Sequence, residues 1–259
     1  MSEPYASVPA SGPPPPPPAP RPRRTHSILG RLAEAVREQN WFAVAIEVLV
    51  VIVGVVVGFQ VTSWGQARAA RQTETQSLRE VRDALARDLP DIRWNAGFHE
   101  RSRDSARLLR EHLRERRPYS DTLDAHFGHV LGSTYSVRDE TAYETLKQRG
   151  LDTVTDDSLR VAIGRVYGVA YAGLIPNQAW LDAYVHDAEV PFYDAHFQDS
   201  RFGRTATPVD YDALLDATTY AAILDWRIQM DALLADQARE LEAKVTALVA
   251  RLDAELARR

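Results

Sequence analysis

The chain has no cysteine, which excludes disulfides and thiolate metal sites alike and leaves the redox compartment open. It has no basic excess. With 31 Lys and Arg against 36 Asp and Glu its formal net charge is −5, the wrong sign for a nucleic-acid binder. No G-x-S-x-G elbow, glycine-rich phosphate loop or Glu-x-x-His pair of a carboxylate-bridged bundle occurs. Strand-like alternation is missing from residues 65–259, where Ala, Leu, Arg, Glu, Asp and Gln dominate. No residue is therefore assigned as catalytic, and no cofactor or metal is expected.

Three compositional zones are present. Residues 1–26 contain six consecutive prolines, Pro13 to Pro18, followed by Pro20 and Pro22. Proline fixes φ and lacks an N–H, so this stretch predicts an extended, disordered tail. Such a run can enter an aromatic-lined proline-binding groove, but a spacer needs no such partner. Arg21, Arg23 and Arg24 follow and can meet anionic headgroups. Residues 27–40 predict an amphipathic helix capped by Ser27 and lying in the membrane interface. Ile28, Leu29, Leu32 and Val36 fall on one face, and Arg31, Glu34, Arg37 and Glu38 on the other.

The second zone decides the class. Val48 to Ala67 is free of charge, and the apolar stretch 41–64 holds 24 residues. At ~1.5 Å per residue it reaches about 36 Å, enough to cross a ~30 Å hydrocarbon core. Valine favours strands in water, but a lone segment in lipid must satisfy its own backbone hydrogen bonds and so must be helical. Trp41 and Trp64 stand at its two ends, where aromatic belts lie. A pair of buried strands would need a turn that is missing here. A cleaved signal peptide would have a shorter apolar stretch nearer the N-terminus. Glu47, Gly54 and Gly58 share a helix face with Val51, and G-x-x-x-G lets two backbones approach, so this face is the candidate for helix packing and a homodimer. Glu47 is close enough to Trp41 to reach the headgroups.

The third zone, 65–259, predicts an all-α domain. Leu78, Val81, Leu85, Leu89 and Ile92 form a stripe that resumes at Leu108, Leu109 and Leu113, with Pro90 expected to kink or break the helix. Shorter helices are expected over Thr122–Leu131 and Glu140–Arg149, the latter ended by Gly150. Another begins at an Asp156 or Asp157 cap and runs towards Pro176, with Gln198–Pro208 left as a loop. From Thr218 a helix of about 40 residues carries Leu234, Ala238, Leu241, Val245, Leu248 and Leu252 in heptad rhythm. That seam can form an intermolecular coiled coil or pack back on the first long helix; the second is preferred, giving an elongated antiparallel bundle.

The segment Ala45–Arg71, AIEVLVVIVGVVVGFQVTSWGQARAAR, resembles the signature of an uncharacterised bacterial family of single-pass membrane proteins, a domain of unknown function. Thr141–Tyr167 is similar to that family's second block. The matching positions are Glu47, Gly54, Gln60, Trp64, Ala142, Tyr143, Leu146, Leu159 and Tyr167. The resemblance implies one membrane span ahead of a helical domain and carries no activity with it.

Few residues invite chemistry. His126 and His129, three apart near Asp121 and Asp124, have the spacing of two metal ligands but read more simply as a solvated helix face. His186, Asp187, Glu189, Asp194 and His196 make a polar, turn-rich patch around Pro191. Tyr143, Tyr167, Tyr171, Trp180 and Tyr184 read as core. The expectation is a membrane-anchored binding or interaction module of the bacterial envelope, with the bilayer and a protein as partners and no nucleic acid. The alternative is a membrane-anchored metal-dependent hydrolase using His186–His196. The basic flanks of the span differ by five arginines against four, so orientation rests on the short tail and long domain: N-terminus cytoplasmic, 65–259 periplasmic, in the inner membrane.

Overall fold

The computed structural model describes residues 41–136 and 138–259. The proline-rich tail and the interfacial helix expected over 27–40 lie outside the described residues. Helix accounts for 82% of what is described. The chain divides into two compact units, Met1–Ser63 and Trp64–Arg259.

In the first unit the described residues are all helical, the beginning of α1, Trp41–Arg114. From Ile46 onward its valines and isoleucines are exposed on every side. A helix that is apolar all round has no self-covering face, so it needs lipid or protein around it.

The second unit is built on the rest of α1 and on α8, Thr218–Ala257. Both carry an unbroken heptad seam. On α1 the buried positions Leu78, Val81, Leu85, Asp88, Ile92, Asn95, His99, Ser102, Ala106, Leu109 and Leu113 advance by alternating steps of three and four. On α8 Tyr220, Leu224, Arg227, Asp231, Leu234, Ala238, Leu241, Val245, Leu248 and Leu252 do the same. Surface ion pairs and hydrogen bonds descend α8 as they ascend α1: Glu74 with Arg259, Arg82 with Asp253, Arg93 with Glu242, Glu100 with Arg239 and Arg110 with Asp225. The α8 seam is thus consumed inside the chain. Leu89 is only partly buried, with Asp88 taking its place in the seam, and Leu108 is exposed.

Of the kink or break expected at Pro90, the break does not occur: α1 runs through it. Proline removes one helical hydrogen bond, and buried Leu85 and Ile92 on either side hold the helix against the core.

Between the two long helices the chain adds α2 (Leu123–Val130), α3 (Thr141–Arg149) and a 3₁₀ turn at Leu151–Thr153. Gly150 ends α3 at φ 97°, a conformation that favours glycine. Asp156 caps α4, Asp157–Arg165, by accepting hydrogen bonds from the Ser158 and Leu159 N–H groups. Helical turns then continue through a π turn (Val166–Tyr171), α5 (Ala172–Tyr184), a second π turn (Val185–Glu189) and α6 (Val190–His196). The buried residues explain the wide turns. Leu159, Ile163, Tyr167 and Tyr171, and later Leu181, Val185, Glu189 and Tyr193, recur every four residues. On a regular α-helix such a row drifts by about 40° per step, and a wider turn takes the drift back.

Residues 197–208 correct a second expectation. They form an antiparallel hairpin, β1 (Phe197–Arg201) and β2 (Thr205–Pro208), with a bulge between Gln198 and Arg201. Asp199 in the bulge and Gly203 in the turn have positive φ. Gly128 of α2 lies against the β2 backbone, where a Cβ would come within 2.1 Å of the Thr205 nitrogen. A last short helix, α7 (Tyr211–Leu215), leads into α8. The core has two parts. One joins Leu78–Ile92 of α1 to Leu146, Leu159–Val185 and the C-terminal half of α8, and the other gathers Leu109, Phe127, Tyr193, Phe197 and Tyr220.

Candidate functional site

The apolar window of α1 is of membrane-crossing length, and none of it is buried. Trp41 and Trp64 at its ends are exposed by 68% and 67%. Gly54 and Gly58 have open space where a Cβ would stand, so among the described residues no atom outside the local helix lies within 4 Å of either position. Glu47 is exposed as well. The Thr62 hydroxyl donates to the Gly58 carbonyl at 2.9 Å, a local bond that satisfies a hydroxyl without water. Beyond the window the Arg68 guanidinium lies 5.8 Å from the Trp64 ring centre, within cation–π range.

The residues matching the second block of the resemblance fall in the core. Leu146, Leu159 and Tyr167 are buried beside Leu78–Ile92, and Tyr143 stacks on Tyr167 with ring centres 4.4 Å apart. Tyr171 donates its hydroxyl to Asp88 Oδ2 at 2.7 Å. Burial pushes the Asp88 carboxyl up, against the pull of that bond.

His126 and His129 are half-buried, not on a solvated face. Their Nδ1 atoms lie 3.0 and 3.2 Å from the single Ser105 hydroxyl, and burial holds both imidazoles below the usual histidine range. Asp124 instead accepts hydrogen bonds from Tyr119 and Thr207. The His186–His196 patch is helical rather than turn-rich, and the helix disperses it. His186, Asp187 and Asp194 are exposed, Glu189 turns into the core, and His196 packs on the Phe192 ring at 4.4 Å. Among the described residues no group of three or more His, Asp or Glu side chains is placed to hold a metal ion.

A charged centre sits in the middle of the two seams. Arg227, Asp231 and Glu189 are fully buried, with His99 and Ser102 beside them. Arg227 donates to the Gly132 carbonyl at 2.8 Å and to the Ser102 hydroxyl at 2.6 Å, and its Nε stands 3.0 Å from Asp231 Oδ2. Ser102 donates to Asp231 at 2.7 Å, and His99 Nδ1 meets the other Asp231 oxygen at 2.7 Å. Glu189 is 3.6 Å from Arg227 Nε with neither carboxyl oxygen hydrogen-bonded to a side chain. Burial pushes it up to about 7; Arg227 opposes this and Asp231 adds to it. Serine, histidine and aspartate are all present, but serine and histidine both bind the aspartate rather than each other, so no nucleophile–base relay is formed. The centre is an internal ion cluster.

The signal for it lies in the sequence. Extending the Leu234–Leu252 rhythm backwards lands on Asp231 and Arg227, two charges in seam positions, which is where a buried pair announces itself.

The surface concavities of the second unit include two with basic rims. A cleft of about 1050 Å³ is lined by Arg68, Arg71, Arg79, Arg258 and Arg259 together with Glu74 and Glu255. A groove of about 500 Å³ has Arg165, Lys244 and Arg251 around a floor that includes Val166, Val169 and Leu248. No family model, no curated protein and no solved structure matches this chain.

Proposed function

We infer that the protein is a single-pass membrane-anchored helical module of the bacterial envelope. In this reading residues 41–64 cross the bilayer as a helix, and residues 65–259 form an elongated antiparallel bundle that binds a partner at the membrane surface. One observation carries it: an apolar window of membrane-crossing length with no part buried, on the same helix whose later seam is closed to solvent. In lipid the window satisfies its own backbone polar groups, and its exposed valines lose no free energy to water. The ladder of pairs between α1 and α8 supports the antiparallel bundle.

The short N-terminal tail lies in the cytoplasm and the domain in the periplasm, because a long domain translocates largely regardless of its charge. The face of Glu47, Gly54 and Gly58 packs against a second copy. Membrane fractions washed with alkaline carbonate test the anchor: the protein stays in the pellet, and its release to the supernatant would refute the span. Protease added to spheroplasts digests 65–259 and leaves a protected anchor and tail. Protection of the whole domain would reverse the orientation.

A further inference from the structure

We propose that the arginine cleft beside Trp64 is a binding site for the phosphate of anionic phospholipid headgroups, seated on Arg68 and Arg71. The proposal rests on the membrane reading of 41–64. The cleft lining carries five arginines and two glutamates. Both acids are already committed: Glu74 accepts from Arg259 at 2.6 Å, and Glu255 pairs with Arg258 at 2.6 Å and with Arg259 at 2.9 Å. Glu74 is raised by burial but carried below the usual carboxylate range by Arg259 and Thr155, so it remains an anion bound to its own cation. Three positive charges are left over, on Arg68, Arg71 and Arg79.

The contrast with the next arginines on α1 is chemical. Arg82, Arg87 and Arg93 each pair with a carboxylate at 2.7 to 2.9 Å. Among the described residues no carboxylate lies within ion-pair distance of Arg68, Arg71 or Arg79, and all three are exposed. Planar guanidinium groups match phosphate with paired donors, and these three have no ion pair to give up, Arg68 keeping only its contact with the Trp64 ring.

Depth separates the three. With Trp64 at the edge of the hydrocarbon, Arg68 lies about 6 Å and Arg71 about 10 Å further along the helix at ~1.5 Å per residue. The headgroup layer extends roughly 5–8 Å beyond that edge, within reach of both side chains. Arg79 is about 22 Å out and beyond it. Inorganic phosphate offers the same chemistry from solution and would use all three equally.

Full-length protein in phosphatidylcholine bilayers, doped with spin-labelled phosphatidylglycerol or spin-labelled phosphatidylcholine, reads the preference directly. Phosphatidylglycerol is enriched at the protein, by about five-fold for each arginine in contact at low salt. R68Q/R71Q lowers the preference by the factor those two arginines supply, leaving the share of Arg21, Arg23 and Arg24 on the other side of the span, R79Q leaves the preference unchanged, and molar salt collapses it as the screening length falls to ~3 Å. Equal association of both labels with the parent protein overturns the proposal while leaving the anchor intact. A loss with R79Q equal to that with R68Q/R71Q, or displacement by inorganic phosphate beyond chloride of equal ionic strength, assigns the cleft to a soluble anion and also overturns it. Failure of the protein to enter bilayers brings down the membrane reading and the proposal together.

Discussion

Glu189→Gln isolates the electrostatics of the buried centre. Glu189 has no exposed surface, and its carboxyl is raised from 4.5 to about 7 by burial, with Arg227 only partly offsetting this. The folded chain therefore keeps the Glu189 proton at pH values where the unfolded chain has released it. Its contribution to stability is full below about pH 4.5 and is lost as pH rises through about 7. At ~1.4 kcal/mol per pH unit the loss is on the order of 3 kcal/mol. Asp88, also raised by burial, slopes the same way, whereas His126 and His129, held neutral by burial, slope the other way. The comparison is therefore between two profiles and not within one. Urea unfolding of the full-length protein in non-ionic detergent, followed by helical circular dichroism from pH 5 to pH 8, gives both. Glutamine keeps the shape and cannot ionise, so the Glu189→Gln profile gains on the parent by about 2–3 kcal/mol between the two ends. Parallel profiles would refute the assignment of a proton to Glu189.

Leu241→Asp puts a charge into a seam position that is 1% exposed and should cost about 3–5 kcal/mol, whereas Leu241→Met should cost under about 1.5 kcal/mol; the same urea titration reads both. Gly128→Ala forces a methyl group against the Thr205 backbone and should cost about 1–3 kcal/mol, seen as a lower urea midpoint with an unchanged slope. Gly54→Ile/Gly58→Ile should lower crosslinking of the protein to itself in native membranes, since the two faces can no longer approach; crosslinking at the parent level would exclude that face.

Long, periodic features were legible in the sequence and short or polar ones were not. The forty-residue helix from Thr218, a cap at Asp156 or Asp157 and the Gly150 stop follow from periodicity and local backbone chemistry, and the structure has each, with Asp156 as the cap. Pro90 was expected to kink or break the helix, and the break is absent because the packing on either side outweighs local propensity. The hairpin escaped because only Phe197, Ala206 and Pro208 of its strands are buried, too few to print an alternation; Gly203 between Arg201 and the Thr-Ala-Thr run was the available cue. The π turns escaped because a four-residue stripe reads as a loose α-helix unless its drift is followed across several turns. The buried centre escaped because Arg227 and Asp231 count as surface residues by type, and only their place in the seam shows otherwise.

That centre also settles a problem that the apolar seams leave open. Leu234, Leu241 and Leu248 stand seven residues apart, so α8 could slide by one heptad, about 10 Å, and still set leucine against α1. The polar members do not repeat. A slide in one direction puts Leu234 and Ala238 opposite His99 and Ser102; a slide in the other puts Tyr220 and Leu224 there. Either way Arg227 and Asp231 lose Ser102, His99 and the Gly132 carbonyl while remaining inside the helix pair. Breaking a buried charge set costs about 3–5 kcal/mol, and the surface pairs from Glu74–Arg259 to Arg110–Asp225 are lost in the same slip. An all-leucine seam would hold the helices together as well but in several registers. The charged centre costs desolvation energy and in return leaves a single alignment, the one that brings Arg259 to Glu74.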